Sequence, residues 1–363
     1  MSANPTDDRG LRRQLQRHVD TLADTVTLRP NLAAASPKTR SDDAALARRA
    51  VATAWVYMSC VVAWAEDHDL VRPLLRRSPP GLSRTPESGA IWLVRAFQQL
   101  GAHPSTLWLI HPGYQPALWA GAPSAAASND LIDWWAAEAP SLAYPATSTA
   151  PGSISGWPIG DLLPVVHDNL RAGNALVQTP HWVADLILDL TLIPTVDEFR
   201  DEHLIRTIDP ACGTGHFLIR AIDYLWQWWT TGTLPSRSVT GRPPLAAGAV
   251  LTPVEAARRI LASIDGVELD PLTAAVARLR STIYIGHLLA AAGVLPAPLR
   301  LQAIPATVAP RIAVGDSLLL GRISRRQYEA VHPRLAALPG AAYPLDDFAW
   351  PPEPDPARPN DPR

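Results

Sequence analysis

Three short apolar runs, each ending in a carboxylate and each leading into a turn, constrain this chain more than any other feature. Leu204 to Ile208 runs into Asp209-Pro210-Ala211-Cys212-Gly213-Thr214-Gly215, and Phe217, Ala221, Leu225 and Trp228 then mark one stripe of a helix. Ile264 to Leu269 carries Glu268, ends at Asp270-Pro271 and opens a helix that runs through Leu289. Ile312 to Val314 ends at Gly315-Asp316. Strand, loop and helix in repetition predict a doubly wound α/β domain with parallel strands. Ligands of such sheets bind beyond the carboxyl ends of the strands, where these three acids fall.

The first loop defines the ligand class. Gly213 and Gly215 let a ligand approach the backbone. The segment is neither G-x-x-x-x-G-K-[ST] nor G-x-G-x-x-G, so a Walker-type phosphate cradle and a dinucleotide site are both unsupported. Asp209 would repel a pyrophosphate but suits an ammonium or a water-linked amino acid group, which points away from NAD and towards S-adenosylmethionine. Glu268 stands where nucleotide-binding folds carry an acid for ribose hydroxyls, and Asp316 is an acceptor suited to an exocyclic amine.

Upstream, residues 1–40 form a polar arm with Arg9, Arg12, Arg13 and Arg17, read as a short helix or a loose segment. A helical domain with its linker is expected over 41–156, with helices at Asp42–Glu66 and Ile91–Leu100 and a linker from Gly121 to Gly156 around a short helical turn at Asp130–Glu138. The α/β domain is expected over 157–325, including helices at 161–175 and 181–191, and a Pro-rich tail over 326–363. Thr179 is a candidate N-cap with Pro180 in the first helical position. Val51 to Ala65 is apolar but too short for a membrane span, so it reads as a buried helix.

Composition narrows the class. With 32 Lys+Arg against 34 Asp+Glu, the net charge of −2 excludes a basic coat protein but not a nucleic-acid enzyme with a local basic face. Cys60 and Cys212 alone exclude a disulfide framework and a cysteine-rich zinc site; no metal is expected. No secretory signal is visible at the N-terminus, so a cytoplasmic location without membrane contact is expected. Cys212 reads as a small buried residue, since no base adjoins it, and His216 as a residue that caps or packs the helix start. Trp226, Trp228 and Trp229 read as core and partner-facing surface. Arg72, Arg76, Arg77 and Arg84 read either as a phosphate-contacting loop or as a solvated one.

The Asp209–Gly215 segment resembles the first motif of the amino-group DNA methyltransferases, chiefly the N6-adenine class. Gln178-Thr179-Pro180 with its helix resembles the motif that precedes it there, Gly266-Val267-Glu268-Leu269-Asp270-Pro271 the second, and Val314-Gly315-Asp316-Ser317-Leu318 the third. The run from Ala175 to Leu192 and the segment Asp209–Leu218 are most similar to the adenine methylases of BREX and phage-growth-limitation defence systems.

The resemblance implies a Rossmann-like S-adenosylmethionine-dependent domain, incomplete here and preceded by a mainly helical domain. It implies methyl transfer from S-adenosyl-L-methionine to adenine N6 in DNA, in phage defence or restriction-modification. Thr179, Pro180 and the loop with Asp209, Ala211, Gly213 and Gly215 would hold the methionine end of the cofactor. Glu268 would take the ribose hydroxyls and Leu269 would pack on the adenine face. Asp316 would accept from the adenine amino group, and the Ser317 backbone would reach the ring.

The family's acceptor motif, (Asn/Asp/Ser)-Pro-Pro-(Tyr/Phe/Trp), is not matched. Ser78-Pro79-Pro80-Gly81 lacks the aromatic and follows no strand, so it would serve only in a permuted order. Arg242-Pro243-Pro244-Leu245 and Trp350-Pro351-Pro352-Glu353 lack both ends. The catalytic residues therefore stay unassigned. Expected partners are DNA and a second polypeptide bearing that motif and the target-recognition domain. The alternative readings are a truncated remnant, a non-catalytic S-adenosylmethionine-binding or scaffold subunit of a defence complex, and a methyltransferase acting on protein or RNA amides, which would need the same unmatched motif.

Overall fold

The computed structural model describes residues 9–29, 40–77, 83–142, 157–167, 179–200, 205–234, 248–319 and 322–338. Helix α1 (Arg9–Thr25) is amphipathic and buries Leu11, Leu15, Val19 and Leu22, the i, i+4 and i, i+3 spacings of one helix face. Strand β1 (Thr27–Leu28) pairs antiparallel with β2 (Gly121–Ala122). Between them lie α2 (Arg40–Asp67), α3 (Gly89–Gln98), the 3-10 turns Gln99–Ala102 and Pro104–Ile110, and α4 (Pro116–Trp119). From Val51 to Ala65 every residue of α2 is buried, so the apolar run is a core helix. Among the described residues no helix is long and apolar enough to cross a membrane.

The segment after β2 differs from the linker expected at Gly121. Helix α5 (Ala125–Ala137) fills its first half, capped by the Ser124 hydroxyl, which accepts from the Ala127 N–H. Trp134 and Trp135 are buried in the core, and Trp135 Nε1 donates to Ser59 Oγ at 2.8 Å. The Ala-rich stretch is helical because Ala has the highest helix propensity, and the paired tryptophans supply apolar surface that α2 and α3 cover.

Helix α6 (Trp157–Val166) packs against α2, where the Tyr57 hydroxyl donates to the Ile159 carbonyl at 3.1 Å. Helix α7 (His181–Phe199) runs beyond the expected end at 191. The extended Pro180 (ψ 144°), and not Thr179, is its N-cap: the Pro180 carbonyl accepts from the N–H groups of Val183 and Ala184.

The α/β part follows: β3 (Thr207–Asp209), α8 (His216–Thr231), α9 (Pro253–Ser263), β4 (Ile264–Glu268), α10 (Pro271–Ala291) and β5 (Arg311–Val314). The three strands form a parallel sheet in the order β3-β4-β5, with Asp209 level with Gly266 and Glu268 level with Val314. All three runs expected from sequence are therefore strands of one sheet. At the opposite end of the sheet Asp265 is bracketed by Arg206 and Arg311 at 2.7 and 2.8 Å, one ion pair to each outer strand. One continuous apolar cluster joins the helical part to the sheet, from Leu11 to Val314.

Two short helices, α11 (Arg325–Val331) and α12 (Pro333–Ala336), occupy the start of the expected tail. A Ser324–Gln327 capping box fixes the start of α11. Residues 339–363 lie outside the described residues, as do 201–204 and 235–247.

Candidate cofactor site at the strand ends

The loop after β3 is tied to its neighbours through the backbone. The Cys212 N–H donates to the Val267 carbonyl at 2.9 Å, and the Gly315 N–H to the Glu268 carbonyl at 3.0 Å. Both flanking loops thus hang on the end of β4. Gly213 (φ 54°) and Gly215 (φ 86°) take left-handed backbone, and Gly215 stands at the N-cap of α8 with its α-carbon side close to Ala277. This turn is the reason for glycine at both places.

Glu268 is half-buried and works as a clasp. Its Oε2 accepts the Gly213 N–H and its Oε1 accepts the Asp270 N–H, each at 2.9 Å. Burial pushes its carboxyl pKa above the usual range, opposed by the two N–H donors. Asp270 caps α10 by accepting from the Thr273 N–H at 2.8 Å. Leu269, between them, is 48% exposed at the mouth of the site.

Asp209 accepts the Ala211 N–H on Oδ1 at 3.2 Å, while its Oδ2 is buried with no hydrogen-bond partner among the described residues. Burial raises its pKa as well. A buried acceptor left over at a glycine loop is what a cationic or N–H-bearing ligand group requires. Ala211 is exposed and half-buried Ser317 follows Asp316. The Asp316 Oδ1 accepts the Leu318 N–H at 3.0 Å, and Oδ2 lies 3.1 Å from His332 Nε2.

The strand ends thus bring together Asp209, Ala211, Gly213, Gly215, Glu268, Leu269, Asp316 and Ser317. Thr179 and Pro180 lie at the N-terminus of α7, which runs parallel to α8 through the Asp185–Arg220 and Asp189–Tyr224 contacts. Ser78-Pro79-Pro80-Gly81, Arg242–Leu245 and Trp350–Glu353 all lie outside the described residues, as do Ala175 and Gln178.

Support beneath the loop joins His216, which packs at the helix start as expected, to Arg280, Asp161 and Gly160, which no motif marks. Arg280, fully buried on α10, donates to the carbonyl and hydroxyl of Thr214, the latter at 2.8 Å. Burial lowers its pKa to about 10, opposed by Asp161 and Tyr57. His216 is buried, with Nδ1 3.3 Å from Thr214 Oγ1 and Nε2 3.5 Å from Asp161 Oδ1. Gly160 admits this packing, because a Cβ there would fall within 2.6 Å of both Arg280 and Thr214. Cys212 is buried, and burial drives its thiol pKa well up, which leaves it no nucleophile.

Of the arginines at 72–84, Arg76 donates to the carbonyls of Trp135, Ala139 and Pro140 and pairs with Asp67, while Arg84 pairs with Asp133. Those two charges are paired within the chain, whereas Arg72 and Arg77 are exposed.

The chain is similar to the adenine-specific methyltransferase PglX of Streptomyces coelicolor, 29% identical over 289 residues, or 74% of this chain. The match spans 22% of that relative's length, so this chain corresponds to about a fifth of it. The relationship bears out the motif resemblance to adenine methylases of this type. No protein-family model matches the chain. No solved structure matches it either.

Proposed function

We propose that the chain is the cofactor-binding part of a Rossmann-like, S-adenosylmethionine-dependent adenine-specific DNA methyltransferase. The observation that carries this reading is that Asp209, Glu268 and Asp316 all stand at the carboxyl end of one parallel sheet, beside a left-handed glycine loop. The unpartnered Oδ2 of Asp209 fits the amino acid end of the cofactor. Glu268 retains lone pairs for ribose hydroxyls beside its two N–H donors, exposed Leu269 offers an apolar face to adenine, and Asp316 an acceptor to its amino group. When bound, S-adenosylmethionine supplies an electrophilic methyl group; the residues named here bind and orient. The similarity to an adenine-specific methyltransferase supports adenine as the acceptor, and the motif resemblance supports its N6 in DNA, in a restriction-modification or phage-defence setting.

A second polypeptide carrying an Asn-Pro-Pro-Tyr-type motif belongs to the same reading. Among the described residues β3 is an edge strand, and its Ile208 is 54% exposed. Helix α7 buries Ala184, Leu188, Leu192, Ile193 and Val196 on its inner face and still carries apolar residues on its outer one. Asp185 and Asp189 point inward to Arg220 (2.7 Å) and the Tyr224 hydroxyl (3.1 Å), while Trp182 and Leu190 are 67% and 54% exposed. A helix apolar on its outer face is suited to burial against another element.

Tritiated-methyl transfer to DNA tests the division of labour. The chain alone is expected to bind S-adenosylmethionine without transferring methyl, and transfer by the chain alone would refute the need for a partner.

A further inference from the structure

The end of β5 carries a contact that none of the motifs contains. Residues 322–338 fold back onto the strand ends, where Tyr328 is wholly buried against Val267, Leu319 and Ile323. The Tyr328 hydroxyl accepts the Asp316 N–H at 2.8 Å, so the helix is fastened to the backbone of the residue it overlies. Four residues on, one turn along the same face, His332 places Nε2 3.1 Å from Asp316 Oδ2. Its ring lies 5.3 Å from that of Tyr328. His332 itself is fixed at the break between α11 and α12: its N–H donates to the Tyr328 carbonyl, and its backbone (φ −123°, ψ 58°) leaves the helix there.

The Asp316 carboxylate is therefore held at both oxygens, by the Leu318 N–H on Oδ1 and by His332 on Oδ2. Each oxygen keeps a lone pair, but the carboxylate plane can no longer turn freely. A carboxylate fixed in this way meets a ligand N–H without losing rotational freedom on binding, which is how preorganisation adds affinity.

We propose that His332 is a positioning residue for the adenine end of the cofactor, holding the Asp316 carboxylate in the orientation that accepts the exocyclic amine. This inference rests on the cofactor reading above. It assigns a binding role to a segment that sequence places in a Pro-rich tail.

The test is calorimetric titration of the full chain with S-adenosylhomocysteine and with its analogue whose purine lacks the 6-amino group. Wild type, His332→Ala and His332→Gln are compared, with thermal melts to confirm folding. Loss of one oriented hydrogen bond is expected to weaken S-adenosylhomocysteine roughly tenfold in His332→Ala. The deamino analogue is expected to bind that variant as it binds wild type. His332→Gln, which keeps an N–H donor of similar reach, is expected to recover most of the loss.

Unchanged or tighter binding of S-adenosylhomocysteine by His332→Ala would overturn the proposal, the tighter case marking His332 as a plug. An equal loss for both ligands, not rescued by Gln, would reduce it to a structural residue and overturn the proposal too. Wild type binding neither ligand would instead refute the cofactor reading, and this inference with it.

Discussion

The backbone N–H of Gly213 donates to Glu268 Oε2 at 2.9 Å, so the glycine loop after one strand is held by the carboxylate that ends the next. Two motifs separated by 55 residues in sequence are one structural object. Glu268→Ala is expected to leave the N–H groups of Gly213 and Asp270 without acceptors. Each such orphan costs about 1–3 kcal/mol when buried and less at this half-buried site. Urea denaturation should therefore show a loss of about 1–2 kcal/mol, with S-adenosylmethionine binding lost as well. Unchanged stability would mean that the clasp is not formed in solution.

Asp209 gives a prediction of opposite sign. Burial holds its folded pKa above the unfolded value, so between those two values the folded chain binds more protons than the unfolded one. Stability from this group is present below the unfolded pKa, about 3.9 for aspartate, and is lost as pH rises through the folded one. At neutral pH the buried charge is a cost. Asp209→Asn is expected to raise the melting temperature at pH 7 by a few degrees, roughly 1 kcal/mol, and to abolish cofactor binding. Its advantage should vanish in melts below about pH 4. A melting temperature that falls at pH 7 would contradict the assignment.

Gly215 combines a φ of 86° with a Cβ position 3.3 Å from the Ala277 Cβ. Gly215→Ala is expected to cost about 1–2 kcal/mol in chemical denaturation, because an L side chain is strained at that φ whatever the space. The strain falls on the cofactor loop, so affinity for S-adenosylmethionine should drop with it. Wild-type stability and affinity in the variant would place the loop in another conformation.

The two apolar faces of α7, one buried and one exposed, give separate predictions. Trp182→Gln and Leu190→Gln, on exposed positions, are expected to change stability by less than about 0.5 kcal/mol and to reduce binding of a hydrophobic dye. Asp185→Ala breaks the partly buried pair with Arg220 and is expected to cost about 1–2 kcal/mol. The reverse ranking in urea melts would show that the outer face is already covered.

Sequence made the strand ends legible because each carries its signal locally: an apolar run, an acid, then a turn. Proline or glycine after Asp209, Asp270 and Val314 leaves little choice of backbone. The helical stripe of Ala221, Leu225 and Trp228 was legible for the same reason, and all three are buried. Composition misled at Ala125–Ala137, where Ala and Ser in a Pro-rich neighbourhood resemble a linker until Trp134 and Trp135 are seen to be buried. It misled again at Ser324–Val331, although Ser324 with Gln327 three residues later is a readable helix start. Arg280, Asp161 and His332 carry no local signal. Their roles come from contacts across 66 residues to Thr214, 55 residues to His216 and 16 residues to Asp316 respectively, which only the folded chain defines.

The central claim is that the three strand ends form one S-adenosylmethionine site, and its most direct test is calorimetric titration of the full chain with that ligand. One-to-one binding is expected, lost in Glu268→Ala and Asp316→Ala while both variants remain folded by circular dichroism. Absence of binding by the wild-type chain, or binding indifferent to both substitutions, would contradict the account.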